Sequence, residues 1–108
     1  MRTVYLNPAG ADYPGPHAPG ERRRRLAGHL NARLGEYLGE GVEQVAVEEG
    51  DVVCARLSGY TGAQGAQALA LHQVYCQGGG AWVRFVLSAA TTFEDLDYVQ
   101  GAVAQLLE

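Results

Sequence analysis

Residues 42–90 read as an unbroken run of strand signals, and three glycine-marked turns divide them. That pattern constrains the chain more than any other feature. A period of two with short turns specifies antiparallel strands, and turn length then decides which residues face each other. The reading places strands at 42–48, 52–60, 66–77 and 81–90. A turn at Glu49-Gly50-Asp51 sets Val47 against Val53 and Val45 against Ala55. A five-residue turn over Thr61–Gly65 sets Leu57 against Leu69 and Cys54 against His72. A turn at Gly78-Gly79-Gly80 sets Tyr75 against Val83 and Cys76 against Trp82.

Two helices flank this run. Leu26, Leu30, Leu34, Tyr37 and Leu38 share one face of a helix over 21–38, which Gly39 and Gly41 end. Thr91-Thr92-Phe93-Glu94 has the form of a capping box, with Thr91 capping Glu94 ahead of a stripe of Phe93, Leu96, Val99 and Val103. A short strand at 2–6 precedes a loop at 7–20 rich in proline and glycine, which contains Tyr13 and His17. The expected fold is α+β: a four-stranded antiparallel meander plus a short N-terminal strand, flanked by two helices, in the order β-α-β-β-β-β-α.

The 108 residues suffice for one domain with a single core, and 47% hydrophobic with 19% charged residues is ordinary globular composition. A net charge of −4 disfavours nucleic acid as a partner. All eight basic residues are arginines, four of them in the run Arg22–Arg25, and there is no lysine. No apolar stretch approaches the roughly 20 residues of a membrane span. The N-terminus shows no secretory h-region. A cytoplasmic protein with two free thiols, Cys54 and Cys76, is the plain expectation.

On the predicted sheet one face is aliphatic, a core face of Val45, Val47, Val53, Ala55, Leu57, Leu69, Leu71, Val83, Phe85 and Leu87. The other is mixed, and Val52, Arg56, Val74, Trp82, Arg84 and Val86 on it have the apolar-and-arginine character of an interface. Cys54 beside His72 suggests a thiol activated by an imidazole, in a pocket that Trp82 and the 7–20 loop would close. No third orienting carboxylate accompanies the pair, so a thiol that fills space outweighs a nucleophile. His17, His29, His72, Cys54 and Cys76 lack any metal-ligand spacing, and neither a metal nor a cofactor is expected.

The stretch Ala55-Arg56-Leu57-Ser58-Gly59-Tyr60-Thr61-Gly62, the strand through Gln73-Val74-Tyr75, the segment Val83-Arg84-Phe85-Val86-Leu87-Ser88-Ala89-Ala90 and the closing helix from Phe93 to Leu107 resemble the Mog/PsbP-like superfamily, including Eag-type adaptors, over about residues 21–108. The resemblance implies a sheet that binds other proteins and catalyses nothing. The sequence-level reading is therefore a small cytoplasmic adaptor or chaperone-like module, homodimeric, with another protein as partner (a secreted effector or a membrane-helix segment) and neither nucleic acid nor membrane. A ligand-binding protein or minor enzyme using Cys54, His72 and Trp82 is one alternative. An immunity-type protein that binds a single toxin is another.

Overall fold

The computed structural model describes residues 2–6, 20–48, 52–88 and 91–108. Tyr13, His17 and the turn at Glu49-Gly50-Asp51 lie outside them. The elements run β1 (Val4–Leu6), α1 (Gly20–Gly35), β2 (Val42–Glu48), β3 (Val52–Leu57), α2 (Gly62–Ala70), β4 (Val74–Gly79), β5 (Trp82–Val86) and α3 (Phe93–Leu106). The strands form one five-stranded sheet in the order β1-β4-β5-β3-β2. Three pairings are antiparallel, and β1 runs parallel to β4. The fold is α+β, but the sheet is mixed, and among the described residues three helices accompany it, not two.

The first predicted hairpin is present, with Val47 paired to Val53 and Val45 to Ala55. The second predicted hairpin does not form. Residues 62–70 are helical, and the neighbour of β3 is β5, with Val53 opposite Phe85 and Cys54 opposite Arg84. The physical reason lies in Gly62-Ala63-Gln64-Gly65-Ala66-Gln67-Ala68-Leu69-Ala70. It contains no β-branched or aromatic residue, and alanine and glutamine are good helix formers. Thr61 caps it: its hydroxyl accepts from the Gln64 amide at 3.1 Å, and Gln64 Oε1 accepts from the Thr61 amide at 3.0 Å. Buried Gly62, Gly65 and Leu69 fall at helical spacing.

Two glycines let α2 lie directly on the β4–β5 hairpin. A Cβ on Gly62 would stand 2.2 Å from the Trp82 carbonyl oxygen, and one on Gly78 would stand 2.1 Å from the Gly62 oxygen. The two backbones touch, and the Gly62 amide donates to the Gly80 carbonyl at 2.9 Å. The last hairpin turns through two residues, Gly80 (φ +56°) and Ala81, where three were expected, so its register shifts. Gln77 pairs with Arg84, Gly78 with Val83 and Gly79 with Trp82, in place of Tyr75 with Val83 and Cys76 with Trp82. Because β5 and not β4 lies beside β3, the other edge of β4 takes β1, with Val4 opposite Val74 and Tyr5 opposite Tyr75.

All three helices pack on one face of the sheet. The core there holds Leu26, Leu30 and Leu34 of α1, Leu69 of α2, and Leu96, Val99 and Val103 of α3, against Leu6, Val53, Val74, Val83 and Phe85. Of the residues expected on the core face, Leu71 is instead 83% exposed and Val47 40% exposed. Burying each large aliphatic side chain contributes about 1.5–3 kcal/mol. Helices α1 and α3 are tied by His29 Nε2 to Asp97 Oδ1 at 2.8 Å and by Arg33 Nη2 to Gln100 Oε1 at 3.1 Å. The cap of α3 sits one residue later than the motif suggests. Thr92 accepts from the Asp95 amide at 3.1 Å, while buried Thr91 accepts from the Ser88 amide at 3.0 Å.

Candidate functional site

With the helices on one side, the opposite face of the sheet carries the side chains available for chemistry. Alternation along β3, β4 and β5 places three rows of residues across it. The middle row is Gln77, Arg84, Cys54 and Ala46. On one side lie Trp82, Arg56 and Gln44, and on the other Tyr5 with Tyr75, then Val86, Val52 and Glu48.

Arg84 is the centre of this face. Its Nη1 donates to Gln77 Oε1 at 3.0 Å and its Nη2 to Glu48 Oε1 at 3.4 Å. Its side chain remains 42% exposed. Three strands therefore orient one guanidinium: β5 carries it, β4 holds one nitrogen and β2 the other. A planar fork held in this way is suited to taking a carboxylate through two parallel hydrogen bonds. The pairing with Glu48 does not block such exchange, because an exposed ion pair is worth only about 0–1 kcal/mol.

A second arginine is engaged more fully. Arg56 donates to Gln44 Oε1, pairs with Glu43 Oε1 at 3.3 Å and lies 5.9 Å above the Trp82 ring. Glu43 also accepts from Ser58 Oγ at 3.1 Å. The cation–π contact and the carboxylate hold Arg56 flat against its neighbours.

The thiols are poorly suited to nucleophilic work. Cys54 is 4% exposed, and its Sγ donates to Glu48 Oε1 at 3.2 Å. Burial first, then the bond to Glu48, raise its pKa, and Arg84 offsets this only in part. Cys76 faces the core, where burial pushes its thiol up to about 12. Thiolate is the reactive form, so both shifts act against reactivity.

The structure redistributes the predicted site residues. Arg56, Arg84, Trp82 and Val86 lie together on the open face, and Val52 is there too but only 7% exposed. Val74 does not join them, since it points into the core and is fully buried. Its phase was inverted because the strand begins at Val74 and not at residue 66. The same inversion moves Tyr75 from the aliphatic face to the open one, where its ring stacks on Tyr5 with centroids 5.3 Å apart. Cys54 and His72 are not neighbours. His72 lies in the turn after α2, its carbonyl accepting from Tyr98 Oη at 2.8 Å, while Cys54 faces Ala46 and Arg84 across its two ladders. The Cys–His pocket is therefore absent from the described residues.

Sequence reasoning missed Tyr5, Gln77 and Glu48 as members of this surface. The one available signal was Thr61 followed three residues later by Gln64, a capping pattern that would have turned residues 62–70 into a helix and reset the phase of β4. The parallel pairing that brings Tyr5 to Tyr75 leaves no local trace.

No protein-family model matches the sequence, and no curated protein matches it. Solved structures do. A NifS-like protein from Rickettsia africae superposes with a TM-score of 0.69 at 13% identity, over 81% of this chain and 28% of its own. A thermostable omega transaminase engineered for synthesis of enantiopure bulky amines gives 0.67 at 15% identity, over 82% of this chain and 24% of its own. A transaminase with L-alanine gives 0.65 at 19% identity, over 79% and 23%. These findings overturn the resemblance to the Mog/PsbP-like superfamily and, with it, the reading as a non-enzymatic adaptor or chaperone-like module. At such identities the likeness is one of fold, and the chain spans about a quarter of the length of the structures it matches.

Proposed function

We propose that this chain is the carboxylate-recognising domain of an amino-group-transferring enzyme, and that Arg84 takes the carboxylate of the substrate. The supporting observation is the Arg84 guanidinium, oriented by Gln77 and Glu48, on the sheet face that the three helices leave open. The shared fold agrees with this reading, and L-alanine, which one of the matched transaminases binds, offers the carboxylate such a fork recognises. Two free thiols suit a reducing, cytoplasmic compartment.

Amino-group transfer of this kind draws on pyridoxal phosphate, held through its aldehyde as a Schiff base on a lysine. The residues present do not fit that group, because the sequence contains no lysine. Arginine keeps its proton at any physiological pH and does not supply the free amine a Schiff base needs. The anchoring amine therefore has to come from polypeptide outside these residues. What this chain contributes is orientation: Arg84 fixes one end of the substrate, and holding a reactant in one geometry is itself a large part of catalysis.

The test is equilibrium binding of pyruvate and L-alanine to the 108-residue chain by calorimetry. Arg84→Met is expected to weaken binding about tenfold or more, the size of a lost charge-assisted bond, while Arg56→Met leaves it near the wild-type value. Equal binding by a folded Arg84→Met variant, or no saturable binding at all, rejects the assignment.

A further inference from the structure

We infer that the ligand of Arg84 carries a flat aromatic group, so that the preferred substrates are aromatic 2-oxo or 2-amino acids; this rests on the carboxylate reading above. The observation is a second feature of the same face. Tyr5 and Tyr75 stack with centroids 5.3 Å apart and planes inclined by 17°. Tyr5 is 72% exposed on a strand of only three residues at the edge of the sheet. A large ring on the water side of an edge strand gains little from folding. Left accessible, it offers an apolar face with a defined stacking geometry.

Its position relative to the guanidinium gives the step meaning. Arg84 Nη1 sits against Gln77 Oε1 at 3.0 Å, and Tyr75 is two residues before Gln77 on the same strand and the same face, roughly 7 Å away. The separation between the carboxylate and the ring of a three-carbon aromatic acid bridges that gap. With its carboxylate on Arg84, such an acid lays its ring along the Tyr75–Tyr5 step, over the apolar ground that Val86 provides. A methyl group, as in pyruvate or alanine, does not reach the step. The register that builds it, Tyr5 opposite Tyr75 and Gln77 opposite Arg84, depends on β4 pairing with β1 through its first half and with β5 through its second.

The experiment titrates the 108-residue chain with phenylpyruvate and with pyruvate by calorimetry, in wild type, Tyr5→Ser and Arg84→Met. Phenylpyruvate is expected to bind about tenfold tighter than pyruvate, the size of one aromatic stacking contact. Tyr5→Ser should remove that preference and leave pyruvate unchanged, because Tyr5 is exposed and its loss does not open the core. Equal affinity for the two acids, or a preference that survives Tyr5→Ser, overturns the aromatic assignment while leaving the carboxylate reading intact. Failure of both acids to bind overturns both.

Discussion

A single added methyl group tests whether α2 seats the hairpin that carries Arg84. At Gly62 a Cβ would meet the Trp82 oxygen at 2.2 Å, the Gly79 nitrogen at 2.6 Å and the Gly79 oxygen at 2.8 Å. All three are backbone atoms, so no side chain can rotate away, and either α2 or the β4–β5 hairpin has to move. Forcing one extra carbon into packed structure costs about 1–3 kcal/mol. Alanine recovers up to about 1 kcal/mol of helix propensity over glycine. The net for Gly62→Ala is a loss of about 1 kcal/mol, a fall in Tm of about 5 °C for a domain of this size. Gly101→Ala is the matched control. Gly101 is an exposed residue of α3 with nothing within 4 Å of its Cβ position. The same substitution there should gain about 0.5–1 kcal/mol. Urea unfolding followed by circular dichroism gives both values, and amide exchange of residues 77–84 should rise in Gly62→Ala alone. Two variants that shift stability in the same direction, or an unperturbed Gly62→Ala, would refute the argument that backbone contact seats the helix.

Two further outcomes follow from local chemistry. Burial raises the Cys76 thiol from 9.0 to about 12, so the folded chain keeps this proton at pH values where the unfolded chain releases it. Its contribution to stability is whole below pH 9.0 and is lost as the pH rises towards about 12; the wild type should therefore lose more stability than Cys76→Val across that window, as read from urea midpoints at each pH. Thr92→Ala should cost about 1 kcal/mol by removing the cap of α3. Thr92→Ser should restore it in the same assay, and an uncapped helix of unchanged stability would contradict the assigned boundary.

Much of the scaffold was legible in the sequence. Leu26, Leu30 and Leu34, and Leu96, Val99 and Val103, carry a helical period through long segments, and each reaches the core as that period requires. The pairing of Val47 with Val53 followed from a short turn between two alternating segments, a constraint that acts within a dozen residues. The open-face positions of Arg56, Trp82 and Arg84 followed as well, since within one strand alternation alone decides the face.

Apart from the α3 cap, which falls on Thr92 and not on Thr91, the topology went wrong at one place. The segment Gly62–Ala70 is short and rich in alanine and glycine, and the Ala68-Leu69-Ala70-Leu71 stretch at its end imitates strand alternation as readily as a helix. Reading it as strand put Val74 on the wrong face, set His72 beside Cys54 and left β1 without a partner. Local sequence determined where strands and helices could form and which side chains alternate. Which strands became neighbours depended on the contact of Gly62 with Gly78, on β5 displacing 66–77 beside β3, and on the parallel docking of β1. Those contacts join residues up to seventy positions apart. Their energy exists only once the core has assembled, so no window of sequence contains it, and the Arg84–Gln77–Tyr75–Tyr5 surface is a product of that assembly.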